Sequence, residues 1–366
     1  MAKTRTATLV KARQIEFREY DLPQVKEDEV LVKVEGCGVC GTDVHEYKGE
    51  PFGIAPLILG HEGTGEIVAL GKNITTDTQG SPVKVGDKVV SSVLVCGTCP
   101  YCLRFPANPN MCSGLGVYGL ISDDEYHLNG WFAEHILLRK SSTFFEVNKY
   151  SLDERMLLEP ACVVVHALER AKTTNILNFS SPVLVQGCGP IGLLQIAVLK
   201  AYGIEKIIAL DTVSKRLDMA KKMGASSVID TQSFDTIGKR VVEVLRLTNG
   251  FGVDFAFQCT GNPAAASEVF KYIRRGGGLC ELGFFVDNGE ATFNPHYDFC
   301  NKEITVVGSW VYTAQEYLLT MSFMDRAKAM NIPVTELVTH RFKLDDIDKA
   351  METNIAMDGL KVTVVI

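Results

Sequence analysis

Gly187-Cys-Gly-Pro-Ile-Gly192 constrains this chain more than any other stretch, because an apolar strand runs into it and an apolar helix runs out. Pro182-Val-Leu-Val-Gln186 precedes the loop, and a helical run to Tyr202, closed by Gly203, follows it. In that setting the first glycine permits a tight turn, and the second lets a diphosphate approach the backbone. The third lets helix and strand pack closely. Unpaired N–H groups at the helix start then face the anion. Asp211 ends the next strand, after Lys206-Ile-Ile-Ala-Leu210, where a carboxylate accepts hydrogen bonds from ribose hydroxyls. Gly187, Gly189, Pro190, Ile191, Gly192 and Asp211 are therefore candidate dinucleotide-binding residues, against the blander reading of a strand–helix turn without ligand. Asp211 would repel the 2′-phosphate of NADP, so NAD is the expected cofactor. Lys215 and Arg216 read as a solvated helix face, with Arg216 a candidate shield for the adenine.

The segments around this loop set the fold class. Strand-like runs at 206–210, 228–230, 253–257 and 278–282 alternate with helical runs such as Ser214 to Met223. That rhythm is the pattern of a doubly wound parallel sheet of Rossmann type. The first part of the chain is β-rich, with short runs such as Glu29–Val34, Gly65–Leu70 and Lys88–Val95 broken by Gly and Asp turns. Ser151-Leu-Asp-Glu has the form of a capping box and is expected to open one helix through Arg170. The reading is α/β, with a β-rich domain over 1–155, the dinucleotide domain over 156–304, and a C-terminal segment over 305–366 that returns to the first domain.

Composition narrows the classes of function. The chain has 366 residues and a formal net charge of −7, with 46% hydrophobic residues. Length suggests two domains, and the mild acidity argues against a nucleic-acid or anionic-membrane partner. No apolar run approaches the ~18 residues that span a bilayer. The first ten residues lack the apolar core of a signal peptide, so the expected setting is cytoplasmic.

Eleven cysteines in a reducing setting point to metal rather than disulfide chemistry. Cys96, Cys99, Cys102 and Cys112 offer four thiolates at spacings that close a tetrahedral site, leaving no open position, as in a structural zinc lobe over 96–112. A second set is less obvious. Cys40 and His61, taken singly, read first as a core cysteine and a satisfied histidine, and Glu159 as a helix carboxylate. Cys37, Cys162, Cys188, Cys259, Cys280 and Cys300 are expected to pack as small apolar groups.

Resemblance adds to this reading. Gly38-Val-Cys-Gly-Thr-Asp-Val-His45, Leu59-Gly-His-Glu-Gly-Thr-Gly65, Val85-Gly-Asp-Lys-Val89, the four-cysteine lobe, Gly130-Trp-Phe-Ala-Glu-His135, Leu158-Glu-Pro-Ala-Cys162 and the glycine loop occur in one order. Over nearly its whole length the sequence resembles the zinc-containing medium-chain dehydrogenases, most closely the sorbitol, threonine and other polyol dehydrogenases. The resemblance implies a GroES-like catalytic domain and two zinc ions per chain. It implies a catalytic zinc held by Cys40 and His61, with Glu62 and Glu159 able to ligate in exchange with water. Asp43 is implied to orient His61, Thr42 to contact a small-molecule alcohol, and His45 to continue a proton relay. It further implies an NAD-linked dehydrogenase of a secondary alcohol, polyol or sugar-like, assembled as a homo-oligomer (dimer or tetramer). Alternatives are a cyclic or small anionic alcohol as substrate, or an inactive cofactor-binding regulator. The gap from Cys102 to Cys112 and the segment Thr75–Pro82 are longer than usual in the family.

Overall fold

The computed structural model describes residues 2–50 and 53–366, which form two units. The first comprises Met1–Glu159, Thr313–Tyr317 and Thr335–Ile366; the second comprises Pro160–Tyr312 and Leu318–Val334.

In the first unit, strand Val30–Val39 is the central element. It pairs antiparallel with Glu62–Leu70, with Lys361–Val365 and with His135–Leu138. Its Val30, Val32 and Val34 side chains are buried with Ile67, Leu138, Val362 and Val364. β-branched residues suit this pleated, enclosed position. The register sets Gly38 opposite Glu62 and Val39 opposite Val362. Three chain segments remote in sequence therefore end at one place, immediately before Cys40.

The second unit holds a six-stranded parallel sheet. In spatial order its strands are Ser227–Asp230, Ile207–Asp211, Val183–Gln186, Val253–Gln258, Ile273–Glu281 and Thr305–Gly308. Val183–Gln186 is fully buried between Ile207–Asp211 and Val253–Gln258, both later in sequence, so the chain builds first to one side of it and then to the other. Its carboxyl end is the topological switch point, where open α/β sheets take ligands.

Two sequence expectations are corrected here. The C-terminal segment does not return as a whole. Thr305–Gly308 pairs in parallel with Ile273–Glu281 as the sixth strand of the second unit's sheet. Helix Glu316–Ala329 is tied to that unit through Arg326 Nε, which donates to the Ala201 carbonyl. Only 313–317 and 335–366 belong with the first unit. The helix expected from Ser151 to Arg170 is two helices, Leu152–Met156 and Leu158–Lys172, interrupted at Leu157. The capping box at Ser151 and Glu154 is formed. The shorter helix stays with the first unit because Arg155 donates to Glu35 Oε2 at 2.5 Å, which moves the boundary from 155 to 159.

Candidate active site

Cys40 follows the central strand and caps helix Gly41–Lys48, while His61 and Glu62 open the neighbouring strand. Strand register thus does what spacing alone does not: the ligand atoms of Cys40, His61 and Glu62 lie within 4.8 Å of one another. Asp43, with no exposed surface, ties the two segments together. Its Oδ2 accepts from the Cys40 N–H at 2.9 Å and its Oδ1 from the Gly60 N–H at 3.0 Å. The same Oδ1 stands 3.4 Å from His61 Nδ1.

The electrostatics of this cluster call for a cation. His61 is driven well above the ordinary imidazole value: burial pushes it down, but Asp43 and Cys40 push it up harder. Lys361 is also raised; burial opposes its charge, and Glu62, Cys40 and Glu159 outweigh that penalty. His61 Nδ1 and Glu62 Oε2 have charge contacts, to Asp43 and Lys361, but no aligned hydrogen bond. A thiolate, an imidazole and a carboxylate, all converging on one point, form the donor set that zinc takes in sites with an open position. The residues fit the metal.

Thr42 is buried, with its hydroxyl 3.6 Å from Cys40 Sγ. His45 lies one turn further along the same helix and is partly exposed. Glu159, at 8% exposure, stands outside the 4.8 Å set, although its charge reaches Lys361. The structure therefore gathers Glu62, rather than Glu159, with Cys40 and His61. Lys361 escaped the sequence reading. Its only signal is a lysine heading the otherwise uncharged strand Lys-Val-Thr-Val-Val.

The four-cysteine lobe is built locally. Sulfur separations are 3.5 Å for Cys99–Cys102, 3.5 Å for Cys96–Cys112 and 4.0 Å for Cys99–Cys112. A tetrahedron of thiolates about 2.3 Å from zinc has edges of about 3.8 Å, so the cage has the right size. Backbone N–H groups also point at the sulfurs, including those of Cys102 and Ser113 at Cys99. These donors bring the Cys99 thiol down to about 5, whereas desolvation and neighbouring thiols push Cys102 up to about 12. Among the other cysteines, Cys37, Cys162, Cys188 and Cys280 are buried as expected. Cys300 is exposed instead, because it lies in the surface turn Cys300–Lys302.

The glycine loop of the second unit fits a dinucleotide. Gly187 has φ +89°, which a side chain would strain. A β-carbon on Gly192 would overlap the Gly187 carbonyl, whereas one on Gly189 would meet nothing within 4 Å. Gly189 thus leaves a cradle open at the start of helix Pro190–Tyr202, whose first turn has no side-chain cap. Pro190 and Ile191 are half-buried beside it. Asp211 is buried, and its oxygens accept from the Cys188 N–H at 2.6 Å and the Val213 N–H at 2.8 Å. The carboxylate braces the loop through the first of these bonds. Arg216 is half-buried in the first turn of helix Ser214–Met223.

Comparison with known proteins identifies the family. Residues 26–149 match the alcohol dehydrogenase GroES-like domain, and residues 190–326 match the zinc-binding dehydrogenase family. Sorbitol dehydrogenase of Bacillus subtilis is 33% identical over 358 residues, which cover 95% of this chain and 92% of that protein. D-arabinitol dehydrogenase 1 of Uromyces fabae is 31% identical, over 97% of this chain and 95% of that one. The crystal structure of an alcohol dehydrogenase from Thermotoga maritima superposes with a TM-score of 0.92 at 28% identity, covering 100% of both chains. The chain belongs to the zinc-containing medium-chain dehydrogenases, in the branch of the sorbitol and threonine dehydrogenases, and is an oxidoreductase acting on CH–OH groups.

Proposed function

We propose that this enzyme transfers a hydride between a secondary alcohol of a polyol or sugar-like compound and NAD, with one catalytic and one structural zinc ion per chain. The observation that carries the proposal is the convergence of Cys40, His61 and Glu62 within 4.8 Å. Thr42 on the adjoining helix turn adds a hydroxyl to that convergence. When bound, zinc supplies Lewis acidity at the alcohol oxygen, and the nicotinamide supplies the hydride acceptor. Cys40 and His61 would hold the metal, with Glu62 and Glu159 as carboxylates that ligate in exchange with water. Asp43 keeps His61 in place through its bonds to the Cys40 and Gly60 N–H groups. In this reading the Thr42 hydroxyl takes the alcohol proton, and His45, one turn along the helix, delivers it towards solvent.

The second unit supports the cofactor assignment. Gly187, Gly189, Pro190, Ile191 and Gly192 would receive the diphosphate, Asp211 the adenosine ribose, and Arg216 would cover the adenine. The polyols named for the sorbitol and D-arabinitol relatives support the substrate class. Edge strand Thr305–Gly308, with Val306 exposed, supports a homo-oligomer, since an open strand edge favours pairing with another chain.

A panel of sorbitol, xylitol, arabinitol, threonine, a sugar phosphate and simple primary and cyclic alcohols tests the reading through NADH absorbance. Vicinal polyols should give the highest kcat/KM. Turnover confined to cyclic or anionic alcohols would overturn the polyol class, and turnover of none would overturn the activity.

A further inference from the structure

The parallel sheet of the second unit fixes which half of a dinucleotide lies where. The glycine loop follows Val183–Gln186, and Asp211 ends the strand on one side of it, Ile207–Asp211. With the diphosphate on the loop and the adenosine ribose at Asp211, the nicotinamide half falls on the other side of the switch point. There the strands Val253–Gln258, Ile273–Glu281 and Thr305–Gly308 end. Gln186, Gln258, Glu281 and Gly308 stand in one register row across those ends. Glu281 is the only ionisable side chain in that row. It is half-buried, and its Oε1 accepts from the Gly283 N–H at 2.8 Å. Among the described residues no cation pairs with it. Burial pushes its carboxyl up to about 7, although the Gly283 and Phe284 N–H groups pull it down.

The groups around Glu281 leave its charge unanswered. Cys259 and Cys280 are thiols that burial raises, Cys280 up to about 12, so both are neutral near pH 7. Arg170 donates to the Gly308 carbonyl at 3.2 Å and acts on Cys280, which strand alternation puts on the opposite face from Glu281. Cys259 ties the carboxylate to the loop. Its thiol is raised by burial and then by Cys280 and Glu281, and its β-carbon would lie 3.6 Å from one placed on Gly192. A desolvated carboxylate without a counter-ion is costly, and at a ligand site the ligand can bring the missing charge. We propose that Glu281 is a cofactor-binding residue whose carboxylate pairs with the cationic nicotinamide ring of the oxidised cofactor and so favours that form over the reduced one. This inference rests on the nicotinamide-cofactor reading of the glycine loop. The oxidised ring carries a positive charge and the dihydro ring none, while the rest of the molecule is the same. The preference is therefore present above about pH 7, where Glu281 is ionised, and is lost as pH falls through that value.

The test is isothermal titration calorimetry of the whole enzyme with NAD⁺ and with NADH, at pH 8 and at pH 5.5. Wild type is compared with Glu281→Gln, which keeps the shape and an oxygen for the Gly283 N–H but removes the charge, and with Glu281→Asp, which keeps the charge. At pH 8, Glu281→Gln should weaken NAD⁺ by about 10-fold and NADH by less than about 2-fold, where tenfold corresponds to about 1.4 kcal/mol. Glu281→Asp should stay close to wild type in its preference between the two forms. At pH 5.5 the wild type is protonated at Glu281 and should bind NAD⁺ as the Gln variant does. Groups that titrate elsewhere are shared by wild type and variant and cancel in the comparison. Should Glu281→Gln fail to fold, the wild type alone decides: its preference for NAD⁺ relative to NADH must fall between pH 8 and pH 5.5, and a constant ratio overturns the proposal. A folded Glu281→Gln that binds NAD⁺ as wild type does at pH 8, or that loses both forms equally, also overturns it while leaving the cofactor reading intact. If wild type binds neither form, the cofactor reading falls and this inference with it.

Discussion

The two candidate metal clusters of the first unit are built in opposite ways. Cys96, Cys99, Cys102 and Cys112 come from one short stretch, and their cage is closed by sulfur and braced by neighbouring N–H groups. Cys40, His61 and Glu62 come from separate segments that strand register brings together, with Lys361 added from the far end of the chain. The first cluster is uniform, and four equivalent soft donors leave nothing to exchange. The second is mixed and over-supplied with carboxylate, so its ligands compete. A closed cage serves stability, and a contested one serves chemistry.

That comparison breaks most easily at the second cluster. Cys40→Ala or His61→Ala should lower kcat/KM by at least ~10³-fold, equivalent to about 4 kcal/mol of transition-state stabilisation. NADH fluorescence titration should show cofactor affinity nearly unchanged, because the glycine loop belongs to a different unit. Near-normal turnover in both variants would remove the distinction. The complementary substitution, Cys99→Ser, should lower stability by on the order of 3 kcal/mol, as loss of a structural metal does. Thermal melts measure it, and the protein that remains folded should retain its kcat. A Cys99 variant of full stability and no turnover would invert the assignment of the two clusters.

The glycine loop sharpens the comparison, since in the proposed reading its backbone N–H groups receive the diphosphate. With Asp211 as the proposed discriminating group, wild type should favour NAD over NADP by at least ~100-fold in kcat/KM, about 2.7 kcal/mol. Asp211→Asn removes the repelling charge but keeps one oxygen to accept from the loop N–H groups that Asp211 now holds. The preference should narrow, by less than the full 100-fold. Steady-state kinetics with both cofactors measure this, and a wild type that prefers NADP would contradict the role given to Asp211.

What was legible in the sequence follows the same division. The lobe and the glycine loop are contiguous, so residue type and spacing carry most of their geometry. The Cys40–His61 pairing needed the resemblance, because it is a matter of register between strands Val30–Val39 and Glu62–Leu70. Lys361 was not legible at all. A lysine at the head of a strand reads as its solvent end, and only the vacancy at Gly38 and the carboxylate across from it make burial tolerable. The division of the C-terminal segment was hidden for a related reason. Thr305–Gly308 is only four residues long and mostly exposed, so its sequence does not show which sheet it joins until its partner Ile273–Glu281 is known.

Elemental analysis of purified wild type, Cys99→Ser and His61→Ala, alongside kcat on the best alcohol, tests the central claim most directly. Wild type should hold about two zinc ions per chain and each variant about one, with turnover kept by Cys99→Ser and lost by His61→Ala. Wild type without zinc, or a His61→Ala enzyme that keeps both ions, would contradict the account.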